Sequence, residues 1–363
     1  MNQRILAILL AVCMTLALLA GCGGSPANES QSVGESTDDL ATALENMKPV
    51  KLNWAISLGS SHRANETFQY FADEVKERTN GKVEITLYPG DTLVTSASIY
   101  DSLVQGIVDM GEADPAYSVA AFPMSSALFL PGMNYANSVA ATYAVDEMFT
   151  QSGQKEFEKA HFLFAFGMSP SIVFGNKEIK GLSDFSGMQI RATGFAIDVV
   201  QGLGASAVGI TPAETYEALL KGTADAALMP GEALLNWNFA EVSKYACKVT
   251  GFSTSFHYVA MNNEVWNSLP APVQQVMEEV ADECVEKLAP LWDTMSEEGY
   301  KFAEEKGTVV YEMSEEELDK CHEALGSVRE KWISDYTAKG YDAQGMVDYL
   351  QGLIEKYNAQ VAG

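Results

Sequence analysis

The chain has 363 residues, 47% of them hydrophobic and 20% charged, which excludes wholesale disorder and leaves room for two domains with sizeable cores. Its formal net charge of −26 argues against nucleic acid or anionic lipid as the main partner, since either is repelled over most of the surface. A negatively charged ligand must then be met by local positive groups.

Residues 1–21 carry Arg4, an apolar run from Ile5 to Leu19 and the small residues Ala20-Gly21, the pattern of an export signal and too short for a membrane span. Leu19-Ala20-Gly21-Cys22 resembles a bacterial lipobox, which implies cleavage before Cys22, lipidation of its thiol and a membrane anchor. Residues 22–48 are rich in Gly, Ser, Asn and acidic side chains and read as a flexible tether, with the globular body starting at Pro49.

Val50 to Ser57 alternates as a strand, and Arg63 to Thr79 places Phe68, Phe71, Ala72 and Val75 at helical spacing before the Asn80-Gly81 turn. Strands over 83–88 and 107–111, with a short helix over 99–105 between them, complete a β-α-β-α-β order and predict a parallel sheet with right-handed crossovers. Tyr117, after the third strand, is expected at the cleft mouth, where it closes over a ligand or simply packs, and His62, after the first, is a similar candidate with no partner visible in the sequence. A helix over 136–160 precedes extended segments at 161–166 and 172–176, and another extended segment covers 254–261.

Residues 181–231 form an α/β unit whose strand Met188 to Ala192 ends on Arg191, beside Thr193-Gly194. The other arginines after the leader, Arg63, Arg78 and Arg329, lie in amphipathic helices, where a solvated role suffices. A guanidinium at a strand end of an open α/β sheet points into the ligand crevice, and its fork matches a carboxylate; the competing reading pairs Arg191 with Asp184 or Asp198. Thr211-Pro212-Ala213-Glu214 is a capped helix start. Glu232 to Val242 reads as a helix carrying Trp237, and 271–306 as one long helix that Pro290 kinks near Cys284 to Leu288. Ser314 and Asp342 start the last two helices.

Gly202 to Ala207 fits G-x-G-x-x-A, but it leads from a helix into a strand, the reverse of what a dinucleotide site needs. The four histidines lack metal spacing, and no nucleophile elbow or phosphate-binding loop is present, so no cofactor, no metal and no enzymatic activity are expected. Cys247, Cys284 and Cys321 predict no disulfide framework.

Asp184 to Arg191 (DFSGMQIR), Leu203-Gly204-Ala205 and the stretch from Thr211 to Asp225 resemble the DctP-type solute-binding proteins of tripartite ATP-independent periplasmic (TRAP) transporters. Arg78 to Gly81, Tyr88 to Gly90, Gly106 to Asp109 and Phe122-Pro123 extend the resemblance, which covers about residues 50–345. It implies a two-lobed α/β fold of the periplasmic-binding-protein kind, with hinge strands and a long bent helix spanning both lobes. Lobe I would comprise 49–168 plus 255–293, and lobe II 169–254 plus 294–363. It further implies that Arg191 binds a substrate carboxylate and that the partners are the membrane subunits of the transporter. A ligand-sensing receptor subunit with the same fold remains the alternative.

The chain departs from the family pattern at three positions. A second basic residue, an aromatic and an asparagine common in the family are replaced by the Ser169 to Ser171 window, by Pro212 and by Met229. With one guanidinium and a thioether wall, the site predicts a monocarboxylate with an apolar or aromatic body, because each unpaired buried polar group costs about 1–3 kcal/mol. Trp237, and less directly Phe195, are candidate aromatic walls for this reading, with core packing as the competing role.

Overall fold

The computed structural model describes residues 35–152 and 155–362; the export signal and Cys22 lie outside the described residues. Among the described residues eleven strands, numbered in chain order, form two sheets. The first has the order β2-β1-β3-β10-β4, from β1 (Val50–Ile56), β2 (Val83–Pro89), β3 (Met110–Ala113), β4 (Ala160–Gly167) and β10 (Phe256–Asn262). The second has the order β11-β9-β5-β8-β6-β7, from β5 (Ser171–Gly175), β6 (Gln189–Arg191), β7 (Ser206–Val208), β8 (Ala226–Pro230), β9 (Tyr245–Lys248) and β11 (Val309–Glu312).

In the first sheet β1 runs parallel to β2 and β3, joined by the helices Ala64–Arg78 and Ile99–Val104. Trp54 of β1 is fully buried, with its ring 5.1 Å from Phe68 and 5.5 Å from Phe71 of the first of these helices. That apolar seam is why the helix lies on the sheet. The helix stops at Thr79, whose hydroxyl donates to the Val75 carbonyl (2.6 Å), and the chain turns through Asn80 and Gly81 at φ 51° and 74°.

The chain passes between the sheets at Met168–Pro170 and returns at Ser253–Ser255. These passages are tied by Met168 N to Ser255 O and Ser171 N to Ser253 O, both 2.9 Å. The strands flanking them stay in one sheet each, so the crossing is made by a few residues between strands and not by strands running through both lobes. A third connection is helical. Residues 271–306 form two helices, Ala271–Leu288 and Leu291–Glu305, broken at Ala289-Pro290, where proline supplies no backbone donor. The Asp293 carboxylate, just past the break, accepts from Ser138 N (3.0 Å to both oxygens) and from the Ser169 hydroxyl (2.7 Å), tying this connection to a first-lobe helix and to the crossing segment.

Three expectations are corrected. The segment before Pro49 is not wholly a flexible tether: Glu35–Asn46 is helical, and Leu44 is buried in the first-sheet core beside the half-buried Leu40 and Met47. The terminal helix Ala343–Val361 belongs with the first lobe and not the second, since Val347, Leu350, Leu353 and Ile354 pack with Phe149, Tyr135 and Phe256. The preceding helix, Glu315–Ala338, spans both, with Leu325 in the second-sheet core and Trp332 in the first, where its indole donates to the Ser126 hydroxyl (2.7 Å). Finally, 232–242 is not one helix. Asn238 at φ 56° interrupts it between Ala233–Asn236 and the tighter turn Phe239–Val242.

Asp293→Ala leaves the Ser138 N–H and the Ser169 hydroxyl without their acceptor. The unfolding free energy should fall by about 2 kcal/mol in urea titration; an unchanged midpoint would show that the carboxylate does not hold the joint.

Candidate functional site

Strand β6 is three residues long and lies parallel to β8 with Arg191 opposite Ala227. Adjacent residues on paired strands share a face, so Arg191, Ala227, Met229 and Ile172, which pairs with Met229, project to one side. The opposite side takes Ile190, Ala226, Leu228 and Val173 into a separate core. Trp237 packs with the Met229 side: it stacks on Phe239 at 6.2 Å, and Phe239 stacks on Phe174 at 5.6 Å. Sheet register thus brings Arg191, Met229 and Trp237 to one face.

Arg191 is 3% exposed. Its Nε donates to the Ile210 carbonyl at 3.1 Å, and among the described residues it forms no ion pair. The two carboxylates that could have quenched it are engaged elsewhere or outside. Asp184 accepts the backbone N–H groups of Lys180 (2.7 Å) and Gly181 (3.1 Å), and Asp198 is exposed on its helix. Burial pushes the Arg191 pKa down to about 10, with the nearby Tyr117 phenol acting in the other direction. At neutral pH the group is still a cation, largely buried, and among the described residues only its Nε donates to a protein acceptor. Such a group is satisfied best by a carboxylate, which accepts two parallel bonds.

The wall facing Arg191 comes from the first sheet. After β3, Asp114 accepts the Ala116 N–H (2.7 Å) and starts the turn Pro115–Ser118 that carries Tyr117, whose side is 43% exposed. Ala116 meets the turn after Arg191 directly: a Cβ on Gly194 would lie 2.9 Å from that of Ala116, and Gly194 has φ +55°. Glycine is required there on both counts.

Behind this turn lies a group that sequence reasoning missed. Glu112 of β3 is fully buried, and its carboxylate accepts the Ser57 N–H (2.8 Å) and hydroxyl (3.0 Å) and is bound to His257 Nδ1 of β10. Burial disfavours the charged imidazole of His257, but Glu112 outweighs it and raises the pKa. Burial also lifts the Asp114 carboxyl to about 6, against the pull of His257 and the Ala116 N–H. A lone acid in Met110–Ala113 and a lone histidine in Phe256–Asn262, both otherwise apolar, were the available signal. His62 lies against this cluster. Its Nδ1 accepts from Ala64 N (3.2 Å), its ring lies tilted at 37° against Trp292 at 4.9 Å, and its Nε2 is buried with no partner among the described residues.

The remaining expected residues are placed elsewhere. Ser171 lines a groove of about 390 Å³ with Lys248, Asp293 and Tyr300, a set that contains none of Arg191, Met229 or Tyr117. Pro212 is the first residue of the helix Pro212–Lys221, where Glu214 accepts from Thr211 N (2.9 Å) and its hydroxyl (2.8 Å). Phe195 is stacked on Phe129 of the first lobe, at 5.2 Å.

Two sheets, each with its own core, joined by paired crossing segments and with the turns after β3 and β6 meeting between them, define a two-lobed solute-binding protein. The profile of bacterial extracellular solute-binding protein family 7 (DctP) matches residues 55–335, and the chain belongs to that family as a DctP-type TRAP solute-binding protein. It is similar to a TRAP periplasmic solute-binding protein from Desulfovibrio salexigens, solved as an open complex, at 28% identity and a TM-score of 0.77 over 85% of this chain and 96% of that one. A TRAP solute-binding protein from Rhodoferax ferrireducens in complex with copurified benzoate shares the fold (TM-score 0.80, 22% identity, 86% and 100% covered). A monocarboxylate 2-oxoacid-binding periplasmic protein of a Nostoc species is 25% identical over 301 residues, 77% of this chain and 78% of that protein. The chain spans from 66% to 78% of the lengths of the first two curated relatives it matches.

Burial lowers the pKa of His62 from its ordinary 6.5 to about 4, ahead of an opposing pull from Glu112. Between those values the unfolded chain binds a proton that the folded one does not, so this group lowers stability as pH falls from 6.5 to 4. His62→Phe should therefore lose less melting temperature than wild type over that acidification. Parallel pH–melting curves for the two proteins would rule this out.

Proposed function

We propose that this chain is an exported, lipid-anchored binding protein that captures an organic monocarboxylate with an apolar or aromatic body and delivers it to TRAP membrane subunits. The observation that carries the reading is the buried Arg191 guanidinium without an ion pair among the described residues. A ligand carboxylate supplies the missing charge, and closure of the lobes around it excludes water and strengthens the bond. Met229, 8% exposed, offers a thioether beside the guanidinium, and Trp237 and Tyr117 supply flat apolar surface. The benzoate and 2-oxoacid named for the similar proteins above have this chemistry and support the choice of ligand class.

Family membership supports export and the transporter partner. Among the described residues no helix is long and apolar enough to cross a membrane; in this reading the lipobox-like Leu19-Ala20-Gly21-Cys22 supplies the attachment at Cys22. Cys22→Ser should move the protein from the membrane to the soluble fraction. Recovery of both forms in the membrane pellet would remove the anchor from the proposal.

A thermal-shift screen against carboxylates graded from dicarboxylates and sugar acids to aromatic and branched 2-oxo acids tests the ligand class. A ligand at a thousand times its Kd adds about 4 kcal/mol of apparent stability. Hits among apolar monocarboxylates are expected. For such a hit, Arg191→Ala should weaken binding about 100-fold, or about 3 kcal/mol, without lowering the ligand-free melting temperature. Met229→Asn should shift preference toward hydroxylated acids. Full binding by Arg191→Ala would end the carboxylate reading, and hits confined to sugar acids would leave Arg191 in place and overturn the apolar pocket.

A further inference from the structure

Phe195 belongs to the second lobe by chain connectivity, opening the helix Ala196–Gly202 four residues after Arg191. Its ring, however, packs with the first-lobe core, stacked on Phe129 at 5.2 Å with 29° between the planes. Phe129 in turn meets Phe256 edge-on at 5.5 Å, and Phe256 meets Tyr135 at 5.2 Å. Phe256 is the first residue of β10, next to Ser255, whose carbonyl accepts from Met168 across the crossing. A chain of ring contacts thus runs from the residue beside the Arg191 turn to the hinge. The turn itself is seated on the first lobe through Gly194 and Ala116.

We infer that Phe195 is a closure latch: its insertion against Phe129 stabilises the arrangement in which the Arg191 turn rests on the first lobe, and it sets affinity without setting selectivity. Phe129 also packs edge-on against Phe256 inside the first-lobe core, so the receiving ring keeps a core partner when the latch is withdrawn. The latch ring is only half-buried and on a short helix, as expected of a group that leaves when the lobes separate. Any ligand that orders the Arg191 turn positions the latch, whatever the rest of that ligand looks like. A residue lining the pocket would instead discriminate among ligand bodies.

Two measurements test this. The ligand-free arm of the first does not depend on the carboxylate reading. Spin labels on Glu77→Cys and Lys221→Cys, one exposed site on each lobe, in a chain whose Cys13 and Cys22 are serine, report the interlobe distance by double electron–electron resonance with and without phenylpyruvate. Phe195→Ala should deplete the short-distance population relative to wild type. Ala116→Val, which crowds Gly194 from the first lobe and leaves the aromatic pair intact, should do the same. Wild-type distributions in both variants, in both states, overturn the latch.

The second measurement rests on the proposed ligand class and compares pyruvate with phenylpyruvate. Phe195→Ala should weaken both by the same factor, about 3- to 10-fold, the range of an aromatic pair. A loss confined to phenylpyruvate makes Phe195 a pocket wall and ends the latch. If wild type binds neither acid, these two are excluded as ligands while the ligand-free distance result still decides the latch.

Discussion

One buried guanidinium sets the requirements for the rest of the molecule. Arg191 is 3% exposed in a chain of net charge −26, yet no carboxylate among the described residues pairs with it. Removing an arginine from water against a single backbone carbonyl is unfavourable by several kcal/mol in general, so the fold around it must be stable for other reasons. The second sheet supplies that stability with apolar cores on its two faces, one built around Ile190 and Leu228 and the other around Ile172, Phe174 and Met229. The short strand β6 then carries the charge at its end.

The first lobe contributes the opposite wall and solves its own charge problem internally. Glu112 is fully buried, but Ser57 and His257 engage its carboxylate, so its charge is met within the fold. The contrast assigns the roles. The acid beneath the wall is structural and holds β1, β3 and β10 in register, whereas the base opposite is left open. The joints follow the same economy: backbone pairs at the two crossing segments, and one carboxylate, Asp293, which ties the broken helical connection to the first crossing segment and to a first-lobe helix.

The strands, the capped helix at Thr211 and the helix break at Pro290 were legible because each rests on local chemistry. Alternation marks strands, Pro212 and Glu214 mark a helix start, and a proline in a helical run removes a donor wherever it falls. Asn238 misled the reading of 232–242, because a left-handed residue is tolerated by asparagine and leaves no break signal as firm as glycine or proline. The helix Glu35–Asn46 was hidden for another reason. Its composition is that of a tether, and only contact with the first-sheet core makes three apolar side chains enough to hold it.

By itself the sequence determined that this is an α/β chain with one arginine at a strand end, flanked by Gly194 and followed by a capped helix, because these features depend on residues close together in the chain. Tertiary structure alone decided which face of the sheet Arg191 shares with Met229 and Trp237, since that depends on register between strands dozens of residues apart. It likewise decided that Asp184 and Asp198 leave the guanidinium unpaired, that Glu112 and His257 find each other across 145 residues, and that Phe195 reaches into the other lobe. Pairing between side chains on separate elements depends on where packing places those elements, and local periodicity does not carry that information.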